Sequence, residues 1–139
     1  MIALVDTNVI LDYLMMRGDF FPVALELMTK RANRDFQGYV AFHSIPNIWY
    51  ILRKTPEEQR REMLADVCRM LRVVAISHEE VVQMIQRKEF QDFEDCLQAG
   101  CAAHIGADYI VTRNVEDFAI SEVPAILPED FLKRLNNQK

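Results

Sequence analysis

Short apolar runs alternate with longer amphipathic segments along this chain, and the alternation predicts its architecture. Ile2-Ala3-Leu4-Val5 is a continuous apolar run of strand length, followed at once by the polar Asp6-Thr7-Asn8. Comparable runs predict strands at residues 2–5, 38–42, 72–76, 109–112 and 125–127. Between them, apolar residues at helical spacing predict helices over 7–15, 22–32, 44–53, 56–70, 78–88, 92–105 and 128–135. Apolar strands separated by crossover helices are the mark of a parallel sheet buried on both faces. The expected fold is therefore α/β: a three-layer α/β/α sandwich with a four- to five-stranded parallel sheet, in a single domain over residues 1–139.

Local signals mark where these elements end. Ser77 with Glu80 has the pattern of a capping box, and Gly106 follows residue 105 as a helix stop. Ser44 precedes the apolar positions Ile45, Ile48 and Leu52, which predicts an N-cap with Pro46 in the first turn, where a missing N–H does no harm. Pro56 is expected to open the next helix in the same way.

With 139 residues, 50% of them hydrophobic, the chain can bury a core without cross-links. Cys68, Cys96 and Cys101 form no C-x-x-C pair and all fall in predicted helices. They read as small buried hydrophobes in a reducing, cytoplasmic compartment. No apolar stretch approaches the roughly 20 residues that span a bilayer, which predicts a soluble chain with no membrane association. A net charge of −5 argues against indiscriminate polyanion binding. It is compatible with a nuclease, whose catalytic carboxylates contribute to that total.

In an open parallel sheet, ligands collect beyond the carboxyl ends of the strands. Asp6 ends the first predicted strand, and Asn114 and Asp117 follow the strand at 109–112. Asp92, Glu94 and Asp95 open the helix that leads back along the sheet, so acids from three distant segments are expected at one edge. Like charges gathered there raise one another's pKa, a cost that a bound cation removes. Oxygen ligands without a Cys or His set select Mg²⁺ or Mn²⁺ rather than zinc. Such ions activate water and neutralise a phosphodiester during in-line displacement.

Three strings carry a family resemblance: Val5-Asp6-Thr7-Asn8; Asp95-Cys96-Leu97-Gln98-Ala99 with Ala102-Ala103; and Ile110-Val111-Thr112-Arg113-Asn114 with Asp117-Phe118. In order and spacing the chain resembles the PIN-domain nucleases over nearly its whole length, and among them the VapC-like toxin ribonucleases of type II toxin–antitoxin systems. The resemblance implies a PIN-like fold, Mg²⁺ or Mn²⁺ as cofactor, RNA as substrate, an antitoxin protein as partner and a homodimer. Asp6 matches the first family acid and Asp95 the acid that opens the later helix. Asn114 stands where many relatives have Asp, with Asp117 a nearby carboxylate, and Thr112 matches a strand-end hydroxyl. This assigns Asp6, Asp95 and Asp117 to the metal. One position departs: Asn47 stands where the family usually has Glu, and no Asp or Glu occurs between Asp35 and Glu57. An amide brings no charge, which implies weaker metal affinity.

Each residue also has a plainer reading. Asp6 and Asp92 are natural helix caps, Asp117 can cap the turn before Phe118, Asn114 can form an Asx turn, and Thr7 and Ser44 can cap locally, with support of the site as the alternative. Asp92 is read either as a catalytic acid beside Asp95 or as the cap of that helix, and Glu94 as solvated. Arg113 is the expected phosphate contact, because its fork holds two oxygens; an ion pair with Glu116 or Asp117 is the alternative. His43 is read as making a structural hydrogen bond. Arg53, Lys54, Arg60 and Arg61 read as a solvated face paired with neighbouring glutamates. Met15, Met16, Phe20, Phe21, Trp49 and Tyr50 read as core, with a dimer or antitoxin contact as the alternative.

The leading expectation is a metal-dependent endoribonuclease in which Asp6, Asp95, Asp92 and Asp117 are catalytic and Asn47, Asn114, Thr112 and Thr7 support them. A PIN-like module that binds RNA or protein without cutting is the alternative. A receiver-type phosphotransfer domain fits less well, since the strand ends offer His43, Ser77 and Thr112 rather than an acceptor Asp.

Overall fold

The structure, a computed structural model, describes residues 1–138. Five strands, β1 (Ile2–Val5), β2 (Gln37–Ala41), β3 (Arg72–Val74), β4 (Tyr109–Val111) and β5 (Ala125–Ile126), form one sheet in the order β3-β2-β1-β4-β5. Every neighbouring pair is parallel. The helices are α1 (Thr7–Leu14), α2 (Phe21–Ala32), α3 (Ser44–Ile51), α4 (Glu57–Met70), α5 (His78–Ile85), α6 (Phe93–His104) and α7 (Pro128–Asn137). Short 3-10 turns at Gly18–Phe20 and Val115–Phe118 lie outside the predicted elements. The result is a three-layer α/β/α sandwich, as the hydrophobic pattern predicts.

β1 is the central strand, pairing Leu4 with Tyr39 on one side and with Ile110 on the other. Its side chains alternate between two cores. Ala3 and Val5 pack with Val40, Val111, Ile10, Leu27 and Phe131 under α1, α2 and α7. Leu4 packs with Ala41, Ile110, Met84 and Cys101 under α5 and α6. Both faces are covered, which is why the strand reads as a continuous apolar run. Full burial of Leu4 and Val5 stabilises the fold by roughly 1.5–3 kcal/mol each.

The capping box at α5 is present: Ser77 Oγ accepts the Glu80 N–H at 3.1 Å, and Glu80 Oε1 accepts the Ser77 N–H at 3.0 Å. Gly106 follows α6 at φ +63°, a conformation that glycine adopts without strain. Gly100 serves a different need, since a Cβ there would meet Met84 Cε at 1.8 Å, so its bareness lets α5 pack on α6.

Several expectations need correction. Ser44 is the first residue of α3 rather than its cap, and its hydroxyl turns inward. Pro56 is the residue before α4, and Asp92 the one before α6. Cys96 and Cys101 are buried but Cys68 is exposed, on a helix whose only fully buried position is Val67. Met15, Met16, Phe20 and Tyr50 are exposed, while Phe21 and Trp49 are half-buried. From α1, Val9, Ile10 and Leu11 are buried in the core and Tyr13 and Leu14 pack partly against it, which leaves Met15 and Met16 outside. Arg61 does pair with Glu57 one turn earlier, at 2.9 Å, whereas Arg60 stacks 4.0 Å above the Trp49 ring. Among the described residues, no helix is long and apolar enough to cross a membrane.

Candidate metal centre

The carboxyl edge of the sheet gathers the acids. Asp6 is where β1 becomes α1: its N–H continues the ladder to Val111 O at 2.9 Å, and its C=O accepts the first helical N–H groups, from Val9 and Ile10. The side chain at this junction is 6% exposed and makes no capping bond. Instead Asp6 Oδ2 accepts the Thr112 hydroxyl at 2.8 Å, and Thr112 Oγ1 accepts the Asn114 N–H at 3.0 Å. The strand-end hydroxyl thus relays β4 and its following loop to the β1 carboxylate. Burial raises the Asp6 pKa above the ordinary value, and the Glu94 charge adds to the rise. The Thr112 hydroxyl, the Thr7 backbone and the Arg113 charge oppose it.

Asp95 lies in the first turn of α6, where its N–H is capped by Asp92 Oδ1 at 3.2 Å. Its carboxyl is pushed up to about 7, first by burial and then by the charges of Asp92, Asp117, Asp6 and Glu94. Those acids come from three chain segments, so the expected convergence is present as a shared electrostatic field. Asp92, Asp95, Glu116 and Asp117 line one cleft of about 320 Å³. Asp117 belongs to the 3-10 turn Val115–Phe118 that follows β4.

Among the described residues, no three His, Cys, Asp or Glu side chains stand close enough to grip a metal ion as they lie. The donor set nevertheless suits a hard cation. It is all oxygen, no lysine or arginine lines the cleft, and the Asp95 carboxyl is raised first by burial and then by its acidic neighbours. Ligation would require the acids to close by rotamer changes.

Beneath the acids runs a buried polar network. Gln98, fully buried one turn beyond Asp95, donates from Nε2 to Thr7 Oγ1 and to Ser44 Oγ, each at 3.0 Å. The two hydroxyls are 2.7 Å apart. This triad joins α6 to the starts of α1 and α3, the elements that carry Asp95, Asp6 and Asn47. Gln98 Oε1 is buried without a hydrogen-bond partner. Asn47 lies half-buried one turn into α3. The His43 ring is half-buried; its nitrogens make no well-aligned hydrogen bond, while the Glu94 backbone lies close enough to act on its charge. Burial lowers its pKa, with the Glu94 backbone partly offsetting the effect, so the imidazole is neutral.

Arg113 has a different partner from those the sequence suggests. Its Nε and an Nη donate to the two oxygens of Asp12 at 2.7 and 3.2 Å, and its guanidinium lies 3.9 Å above the Phe20 ring. Arg17 approaches the same carboxylate at 3.6 Å. Asp12 is 1% exposed, so two arginines compensate an otherwise isolated buried charge. Sequence reasoning misses Asp12 and Gln98. The available signal was a lone acid inside the apolar run Val9 to Leu14, and a lone amide among the small residues of α6.

Comparison with known proteins identifies the fold and the family. No curated protein sequence matches the chain. Among solved structures, VapBC2 from Rickettsia felis bound to a DNA fragment from its promoter matches with a TM-score of 0.68 at 20% identity, over 91% of this chain and 98% of that one. VapBC-1 from nontypeable Haemophilus influenzae matches with a TM-score of 0.71 at 16% identity, over 93% and 99%. A toxin–antitoxin complex from Klebsiella pneumoniae matches with a TM-score of 0.63 at 23% identity, over 91% and 97%. These likenesses concern the fold. The family model of the PIN domain matches residues 3–116, and the chain therefore belongs to the PIN-domain family.

Proposed function

We propose that this protein is an endoribonuclease dependent on Mg²⁺ or Mn²⁺, the toxin of a type II toxin–antitoxin pair. The observation that carries the reading is the Asp95 carboxyl, raised to about 7 by burial and by Asp92, Asp117, Asp6 and Glu94. Carboxylates gathered in this way raise one another's pKa, a cost that a bound cation removes. Membership of the PIN-domain family supports the nuclease assignment, and the fold shared with VapBC and toxin–antitoxin structures supports an antitoxin partner. The exposed Met15, Met16, Phe20 and Leu25 offer apolar surface for such a partner or a second copy.

In this reading Asp6, Asp95 and Asp117 hold the ion, and Asn47 and Asn114 lend neutral oxygens. When bound, the ion supplies an activated water and offsets charge on the scissile phosphate. Thr112 fixes the Asp6 rotamer by its hydroxyl bond, and Asp92 orders the turn that presents Asp95. Thr7 sets the start of α1 against α6. Arg113, committed to Asp12, acts on the site through its charge and by anchoring the loop after β4, not by gripping phosphate.

Asp6→Asn is expected to lower Mn²⁺-dependent cleavage of a mixed RNA pool by about a hundredfold or more, at least the upper end of what losing an outer-shell partner of a metal costs, with an unchanged circular dichroism spectrum. Undiminished cleavage by that variant would remove Asp6 from the mechanism. Stabilisation by Mn²⁺ without any cleavage by the wild type would favour the binding module.

A further inference from the structure

Arg53, Lys54, Arg60 and Arg61 cluster where α3 turns into α4. Arg61 is paired with Glu57, but among the described residues Arg53, Lys54 and Arg60 meet no carboxylate. Two of them are held in place by the end of α3. Arg60 Nη1 donates to Trp49 O at 3.4 Å, and its guanidinium lies 4.0 Å above the Trp49 ring. Arg53 Nη1 donates to Tyr50 O at 3.2 Å, and its guanidinium lies 4.4 Å above the Tyr50 ring. Consecutive carbonyls in the last turn of α3 thus draw two guanidiniums to one helix end, each laid on the ring of the residue whose carbonyl it bonds. Arg60 is half-buried, and its Nε is buried without a hydrogen-bond partner. The carbonyl end of a helix carries roughly half a negative charge, which does not offset two full cations. Their mutual repulsion is a cost that an anion bound between them removes.

We propose that Arg53 and Arg60 form a phosphate site, remote from the acidic cleft, that holds the backbone of an RNA strand. The choice of RNA rests on the nuclease reading above; the phosphate site does not. The cleft itself offers no such contact, since no lysine or arginine lines it and Arg113 is tied to Asp12. The start of α3 bonds Thr7 and Gln98 through Ser44, beneath the acids, and eight helical residues put its far end roughly 12 Å away. The phosphates it meets are therefore not the scissile one. A guanidinium offers phosphate a fork of N–H donors, and stacking on a ring fixes the fork while leaving its edge open. The corner is also open to solvent: Tyr50 is 64% exposed, and Arg53 and Lys54 are exposed after it. A free phosphate on such a surface gains little over its hydration, whereas a polymer adds the contacts of several phosphates. That favours a chain over a small ligand.

Trp49 is the chain's single tryptophan, so its emission reports on this corner. Titration of the wild type with an oligoribonucleotide in EDTA, where nothing is cut, is expected to change that emission saturably. Fluorescence anisotropy of the labelled oligoribonucleotide then gives the slope of log affinity against log salt. Arg53→Gln and Arg60→Gln should each lower its magnitude by about 0.7, the share of one phosphate contact. Arg69→Gln removes an exposed arginine already paired with Asp66 and should leave the slope unchanged. Arg53 is exposed beyond the end of α3, so its variant keeps the test decisive if loss of the Trp49 stack disturbs folding in Arg60→Gln. Unchanged Trp49 emission, or a wild-type slope in Arg53→Gln and in any folded Arg60→Gln, overturns the proposal. A response to polyglutamate but not to RNA assigns the corner to an acidic protein and overturns it as well. So does a response to inorganic phosphate as strong as that to RNA, which assigns the site to a small phosphorylated molecule. The nuclease reading is tested apart: a wild type that binds RNA at Trp49 yet cuts none in Mn²⁺ loses the nuclease and keeps the phosphate site, and one that cuts RNA without moving Trp49 emission does the reverse.

Discussion

Asp95 is the residue at which burial and charge meet most sharply. Its carboxyl titrates near an ordinary 3.8 in the unfolded chain and at about 7 in the fold, so the fold prefers the protonated form. The corresponding stability is complete in acid and is lost as pH rises through 7. His43 works the other way, because its buried neutral ring resists the charge it would take up as pH falls below its ordinary 6.5. Comparing wild type with Asp95→Asn at each pH isolates the carboxyl. Metal-free Asp95→Asn is expected to melt a few degrees above wild type at pH 8, and close to it near pH 4. After allowance for a partly exposed group, that gap is about 1 kcal/mol. An identical melting difference at both pH values would remove Asp95 from the account. Its place in the acidic first turn of α6 was legible because the segment opens a helix with three acids; its raised pKa was not. That depends on Asp6 and Asp117, which are distant in the chain.

Among the elements, two polar clasps align what the strands and helices carry. The Gln98 triad joins α6 to α1 and α3. Gln98→Ala removes two hydrogen bonds and leaves a cavity, costing about 2–3 kcal/mol in urea denaturation. It should also weaken Mn²⁺ binding, as loss of a ligand-orienting contact does elsewhere, by about tenfold. A stability loss with unchanged Mn²⁺ affinity would make the triad purely structural. The second clasp joins α1 to the loop after β4 through Asp12 and Arg113. Asp12→Ala leaves both arginines without their acid and is expected to cost about 3 kcal/mol. Denaturation within about 0.5 kcal/mol of wild type would contradict this. Both clasps were invisible in sequence. Periodicity shows which face of a helix is buried, but a side-chain partner 101 residues away, as for Asp12 and Arg113, leaves no local trace. Ser44 makes the same point: a serine ahead of an apolar helix looks like a cap, and only the approach of α6 redirects it to Gln98.

At the scale of the whole molecule, the parallel order was readable because strands buried on both faces are apolar throughout. The order β3-β2-β1-β4-β5 was not, since placing β4 on the other side of β1 from β2 is a tertiary choice. Under the proposed function a divalent ion is a stabilising ligand of this arrangement. Mn²⁺ at about 100 times its dissociation constant should stabilise the fold by about 2.7 kcal/mol. The rise in Tm should be larger at pH 8 than at pH 6, where Asp95 is protonated, and lost in Asp6→Asn. A pH-independent shift, or one retained in Asp6→Asn, would place the ion elsewhere.

The central place of β1 has one more consequence. Asp6 comes near the start of the chain, yet its strand neighbour Val111 and the hydroxyl that orients it, on Thr112, lie more than a hundred residues later. During translation the ribosome has delivered most of the protein before this carboxylate has its setting. A product that ends before β4 would lack both the Val111 carbonyl and the Thr112 hydroxyl, so its Asp6 would have nothing to orient it.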